Sequence, residues 1–169
     1  IWNFTNGNSH FTDVTNASRT MLYNINDDCW DDELLDLFKI NKNILPDVKN
    51  CADDYGTIDP SFFGEKIQIG GVAGDQQAAT IGQACFKEGM IKSTYGTGCF
   101  MLMNTGKNLV SSNSQLLSTT AFNILGQKNF ALEGSIFNAG TVVQWMRDEM
   151  NFVNEAYEIE DLAHKSQNK

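Results

Sequence analysis

"GGVAGDQQAAT", residues 70–80, puts three glycines, one acid and two glutamines between a β-branched run and an alanine-rich stretch. The preceding "KIQIGGVAG", residues 66–74, has the character of a buried strand. From Gln76 to about Phe86, the small residues Ala79, Gly82 and Ala84 predict a short helix that approaches its neighbours closely. The lone carboxylate, Asp75, falls at the junction. It suits an N-cap, accepting backbone N–H bonds from the next turn. It equally suits a functional acid at the carboxyl edge of a strand, where α/β proteins bind ligands. There the helix N-terminus would hold it ionised and ready to take a hydroxyl proton. Residue types alone leave both readings open.

The chain has 169 residues, 41% of them apolar, enough for a sizeable core in one domain or in pieces of two. Net charge is −9, with 12 basic residues against 21 acidic, which argues against a nucleic-acid surface. The acids gather in "NDDCWDDELLDLF", residues 26–38, and "NEAYEIEDL", residues 154–162. In the first run they read as a solvated helix face, N-capped near Asp31 and ending about Lys39, with Leu34, Leu35, Leu37 and Phe38 at helical spacing. An EF-hand's glycine and alternating oxygen ligands are absent, and no metal site is expected. Cys29, Cys51, Cys85 and Cys99 form no C-x-x-C pair and read as reduced, buried thiols of a cytoplasmic protein. No targeting segment stands out, and nothing approaches the roughly 20 apolar residues of a membrane span. The opening Ile1-Trp2 reads as a piece of something longer. His10 and His164 read as surface residues, and Lys107 and Lys128 as solubilising ones.

Residues 1–30 are polar and rich in cap and turn formers, and residues 41–66 are connector-like, with Pro46 and Pro60. The character changes after residue 86. "MIKSTYGTGCFMLMNTG", residues 90–106, predicts two strands folded about Gly96 and Gly98. "QLLSTTAFNI" and "NFALEGSIF" predict two more, with Gly126 and Gln127 in the turn between them. A helix is expected from about Gly140 to Asn151, with Val143, Met146 and Met150 on one stripe, and a weaker one over 154–165. The pattern is α/β, cut across two domains near Lys87. "YGTGCF", residues 95–100, reads either as a tight hairpin or as a turn that brings backbone N–H groups and the Thr97 hydroxyl to a phosphate. "NAGTVVQW", residues 138–145, is an ordinary helix start or an anion site.

Together, "GDQQAA", "KEGMIKSTYGTGCFMLMNTG", "FALEGSIFNAG" and "VQWMRDEM" resemble, in order, the glycerol-phosphorylating members of the FGGY carbohydrate kinase family. "TDVTNASRTMLYNI", "WDDELLDLF" and "ILPDV" extend the resemblance over nearly the whole chain. It implies an actin-like ATPase, ribonuclease-H-like α/β fold of two domains about a cleft. Residues 1–86 would end the N-terminal domain and residues 87–169 begin the C-terminal one. It also implies ATP-dependent conversion of glycerol to sn-glycerol 3-phosphate, with Asp75 as the catalytic base. Asp75, Gln76 and Phe100 would contact glycerol, and Thr97, Gly140 and Gln144 the nucleotide.

The implied cofactors are ATP and Mg2+, with the metal ligand outside this chain. The implied partners are glycerol and ATP or ADP, in a homo-oligomer, dimer or tetramer, of the whole protein, with neither nucleic acid nor membrane. The family's first phosphate loop, magnesium-binding acid and Arg-Glu glycerol pair would precede Ile1, so these residues alone are expected to be inactive. Where bacterial relatives carry a Gly-rich basic loop for fructose 1,6-bisphosphate, this chain has "DPSFFGEKI", and that regulation is not expected. The rivals are another FGGY kinase acting on a longer polyol or sugar, and a non-catalytic binding protein of the same fold.

Overall fold

The computed structural model describes residues 1–166, which divide into two compact units. The first holds residues 1–92 and 102–133, the second residues 93–101 and 134 onward.

The first unit opens with β1 (Phe11–Asp13), which runs directly into α1 (Val14–Ala17) and pairs in parallel with β4 (Asp47–Lys49). Two short antiparallel pairs follow the turn chemistry: β2 (Tyr23–Asn24) with β3 (Cys29–Trp30), and β5 (Thr57–Ile58) with β6 (Ile67–Gln68). α2 (Asp32–Phe38) starts where expected. The Asp31 side chain accepts from the Leu34 N–H, and Asp32 and Glu33 in the first turn complement the helix dipole. It ends at Lys39 in the left-handed region, where the Ile40 N–H closes back on the Leu35 carbonyl. α3 (Pro60–Phe63) is capped by Asp59, with proline in the first turn. α4 (Asp75–Gly82) follows the glycine-rich stretch.

The expected buried strand over 66–74 is a correction. Only Ile67 and Gln68 are extended in a ladder, and both are exposed. Gly70 and Gly71 break the run, and Gly71 joins an isolated bridge to Ala52, where a Cβ would come 3.1 Å from the Cys51 carbonyl.

β7 (Ile91–Tyr95), β8 (Cys99–Gly106), β9 (Leu117–Ile124) and β10 (Gln127–Ile136) form a sheet in the order β7-β8-β10-β9. β9 and β10 are joined by Leu125 and Gly126, both at positive φ, while Gln127 already pairs with Ile124. The turn is thus one residue earlier than expected. α1 and α4 pack on β9, burying Val14 and Ala17 in a cluster with Leu102, Ala121 and Phe122. The second unit carries α5 (Gly140–Asp148) and α6 (Glu158–Lys165), both shorter than the sequence suggests.

Two further readings change. Lys128 is not a lone solubilising residue: its ammonium reaches the Asp28 carboxylate and the Ile25 carbonyl and lies over the Phe130 ring. Of the four thiols, Cys51 and Cys85 are buried, but Cys29 is exposed and Cys99 half-buried. No helix among the described residues is long and apolar enough to cross a membrane.

Candidate functional site

In the first unit, Asp13 is wholly buried, and its carboxylate takes the backbone N–H groups of Thr15 (2.9 Å) and Asn16 (3.2 Å). It also takes the Thr15 hydroxyl, the Asn16 amide and the Cys51 thiol. Because Thr15 Oγ1 gives its proton to Asp13, its lone pairs face outward and accept the Gly74 N–H at 2.8 Å. Burial pushes the Cys51 thiol up to about 12, so it stays protonated beside that carboxylate. The buried Gln77 donates to the Thr120 carbonyl of β9 (3.4 Å) and fixes the first turn of α4 from below.

Gly74, in extended conformation, is the N-cap, and Asp75 is the first helical residue. The cap reading of Asp75 is therefore corrected. A Cβ at Gly74 would come 2.7 Å from Gln77 Oε1, so the capping position is closed to a larger residue while Gln77 stays in place. Asp75 is exposed, with Oδ1 accepting the Gln76 N–H (2.7 Å) and Oδ2 facing Gln76 Nε2 (3.3 Å). An exposed carboxylate with its plane fixed at a helix start can accept a hydroxyl proton or hold hydroxyl groups.

Behind Gln76 stands Lys92, only 2% exposed, whose ammonium donates to Gln76 Oε1. Burial lowers the Lys92 ammonium from its ordinary value, while Asp75 and Glu133 act in the opposite sense. Glu133, also 2% exposed, takes a bidentate pair from Arg19 at 2.9 Å on both oxygens. Sequence reasoning passed over Arg19, Lys92 and Glu133. The available signal was a charge inside each of two strand patterns, "MIKSTY" and "FALEGS".

In the second unit, the turn between β7 and β8 closes with the Gly96 N–H on the Gly98 carbonyl (2.8 Å). The Gly96 carbonyl accepts from the Gly140 N–H (2.9 Å), and the Thr97 carbonyl from the Ala139 N–H (2.8 Å) and the Thr141 hydroxyl (3.2 Å). A Cβ on Gly140 would lie 2.7 Å from the Gly96 oxygen, and one on Gly98 2.5 Å from the Ile136 oxygen. The Gly140 and Thr141 N–H groups at the start of α5 thus bond the hairpin carbonyls, and the helix start clamps the turn. Thr97 and Gln144 are exposed and Phe100 is half-buried on β8. Among the described residues the Thr97 hydroxyl has no hydrogen-bond partner. An open concavity of about 330 Å³ is lined by Asn138, Thr141, Val142 and Trp145.

The structure thus brings Asp75 and Gln76 together in one unit, and Thr97 and Gly140 together in the other. Among the described residues, no group of three or more His, Cys, Asp or Glu is arranged to hold a metal ion.

The chain is 57% identical to the glycerol kinase of Rhizobium meliloti (strain 1021) over 166 residues. The match takes in 98% of this chain and 33% of that protein. The glycerol kinase of Agrobacterium fabrum is 54% identical over the full chain, again across 34% of its own length. This chain therefore spans about a third of the length of these relatives. Among solved structures, the crystal structure of Plasmodium falciparum glycerol kinase with ADP matches with a TM-score of 0.90 at 41% identity. That match covers 99% of this chain and 34% of the other. A ligand-bound xylulose kinase from Lactobacillus acidophilus, at TM-score 0.81 and 24% identity over 98% of this chain and 34% of its own, shows the fold alone. The expected actin-like ATPase fold is the one observed. The models for the N-terminal and C-terminal domains of the FGGY family of carbohydrate kinases match residues 1–82 and 91–169. Between them they leave only the eight residues 83–90 unmatched, and this chain belongs to the FGGY family.

Proposed function

We propose that the whole protein phosphorylates glycerol with ATP, giving sn-glycerol 3-phosphate, and that residues 1–86 and 87–169 belong to its two successive domains. The observation that carries this reading is the exposed carboxylate of Asp75, fixed in plane at the start of α4. It sits within a chain 57% identical to a glycerol kinase. Phosphoryl transfer asks mainly for positioning and charge neutralisation, with one base near the attacking hydroxyl. Asp75 takes that proton, the Gln76 side chain meets a glycerol hydroxyl, and Phe100 supplies an apolar wall for the carbon chain.

Thr97, Gly140 and Gln144 contact the nucleotide. An exposed Thr97 hydroxyl with no hydrogen-bond partner among the described residues suits an acceptor oxygen of ATP or ADP. The absence of a Cβ at Gly140 keeps the turn seated on α5. Mg2+ would neutralise phosphate charge, and its ligand is assigned outside these residues. We further assign the whole protein to the cytoplasm, as a dimer or tetramer.

The test is turnover by the purified whole protein with ATP and glycerol, xylulose, ribulose or gluconate. Glycerol is expected to give by far the highest kcat/KM. Preference for one of the sugars would replace the glycerol reading with another FGGY activity. Nucleotide binding with no turnover on any of them would make it a binding protein.

A further inference from the structure

Lys92 is the most deeply buried cation of the first unit, and among the described residues its single hydrogen-bond acceptor is Gln76 Oε1, at 2.5 Å. The only hydrogen bond to offset burial of this ammonium, among the described residues, is to a neutral amide. Burial outweighs the attraction of Asp75 and Glu133, and Glu133 is already occupied by the bidentate Arg19 pair. A packed apolar side chain of the same length would be the cheaper solution for folding. An ammonium has three protons and no lone pair, so whatever faces it must be an acceptor. The Gln76 amide therefore has to turn its oxygen to Lys92 and its NH2 group the other way. That places Nε2 3.3 Å from Asp75 Oδ2, while Asp75 Oδ1 is held by the Gln76 backbone N–H at 2.7 Å.

We propose that Lys92 is a positioning residue: its ammonium locks the Gln76 amide in one of its two orientations, and Gln76 in turn holds the plane of the Asp75 carboxylate. Without the ammonium, the amide is free to flip, presenting its oxygen to Asp75, where two acceptors would repel. This rests on the glycerol kinase reading for its consequence, since the carboxylate so held is the one that takes the glycerol proton. The same clamp orders the amide that meets glycerol, so the effect belongs to the alcohol side of the reaction and not to ATP.

The experiment uses the whole protein. Lys92→Met keeps the stem and removes the ammonium, and kcat/KM for glycerol is expected to fall by about tenfold to hundredfold, with KM for ATP unchanged within about twofold. Lys92→Arg, which restores a donor, should recover most of the loss. In a Gln76→Met background, adding Lys92→Met should cost less than about twofold, because the lysine acts through the glutamine. Should Lys92→Met fail to fold, Gln76→Glu serves instead. It keeps an acceptor for Lys92 but turns a carboxylate oxygen toward Asp75, and should lower kcat/KM by at least about tenfold.

Wild-type glycerol kinetics in a folded Lys92→Met or in Gln76→Glu overturns the proposal, as does an undiminished loss in the Gln76→Met background. Absence of glycerol turnover by the wild type overturns the functional reading instead. In that case the clamp is read from the Gln76 side-chain amide resonances of protein labelled with 15N-glutamine. They should shift in Lys92→Met if the clamp exists, and their staying unchanged overturns it.

Discussion

At the start of α4, side chains running from Asp13 through Thr15 to Gly74 hold the turn in place. At the start of α5, main-chain carbonyls of Gly96 and Thr97 receive the N–H groups of Ala139 and Gly140. The first arrangement depends on which side chains are present, the second on which are absent. A buried carboxylate, a hydroxyl and a lysine specify the one; glycines at 98 and 140 permit the other. The two sites should therefore break under different kinds of substitution, and the residues that break them need not be the ones that touch a ligand.

The largest effect is expected at the side-chain site, where we propose that Asp75 takes the glycerol proton. Asp75→Asn in the whole protein should lower kcat by about 10²–10⁴-fold, the usual worth of a positioned base. Its melting temperature should hardly move, because Asp75 is exposed and, among the described residues, hydrogen-bonds only to its neighbour Gln76. Near-wild-type turnover would remove the base from the side-chain site and leave it a structural turn.

Next comes the main-chain site. Gly98→Ala places a methyl group 2.5 Å from the Ile136 oxygen and 3.0 Å from the Phe137 oxygen, both backbone atoms that cannot step aside alone. Overpacking of this kind costs about 1–3 kcal/mol. The expected readouts are a lower melting temperature and a raised KM for ATP, with KM for glycerol little changed. An unperturbed Gly98→Ala variant would show that the hairpin is not clamped as tightly as the contacts require.

Thr15→Val is the matching test of the side-chain site from a distance. It is isosteric, yet it strips a donor from Asp13 and an acceptor from the Gly74 N–H. Leaving such buried groups unpaired costs about 1–3 kcal/mol, to be read by denaturation. Because Gly74 caps α4, KM for glycerol should rise as well. Lost stability with unchanged glycerol kinetics would separate the network from the site it underlies.

How far each region was legible follows from the same difference. The α2 boundaries were readable because Asp31 and Lys39 act locally, within one turn of the helix they end. The β7–β8 hairpin was readable from its two glycines. The strand expected over 66–74 was not, since β-branched residues declare a propensity while a regular ladder depends on the partner. Here the ladder forms at Thr57 and Ile58 and gives way to scattered bonds to Gly56, Tyr55, Asp53 and Cys51 and one bridge from Gly71 to Ala52. Asp75 was visible as a candidate, but its place in the first helical turn depends on Gln77 closing the capping position at Gly74. Lys92 and Glu133 were hidden because each is distant in sequence from the group it serves: Gln76 lies 16 residues from Lys92, and Arg19 114 from Glu133. Alternation marks a strand without saying that a charge on its inner face is satisfied.

The smallest expected effect tests the comparison most finely, because it removes a side chain from the site that main chain holds. Thr97 contributes its carbonyl to the clamp on α5, and Thr97→Val leaves that carbonyl intact. The hydroxyl is exposed and has no internal partner among the described residues, so its loss should change stability by no more than about 0.5 kcal/mol. If the hydroxyl donates to the nucleotide, ATP affinity should weaken by the worth of one hydrogen bond, about 0.5–1.5 kcal/mol or roughly twofold to tenfold. Glycerol affinity should stay put. Calorimetry on the whole protein resolves the two ligands separately. Unchanged ATP binding with impaired glycerol binding would put the turn on the wrong ligand. Lost stability would mean that side chains hold this turn too, and the contrast between the two sites would collapse.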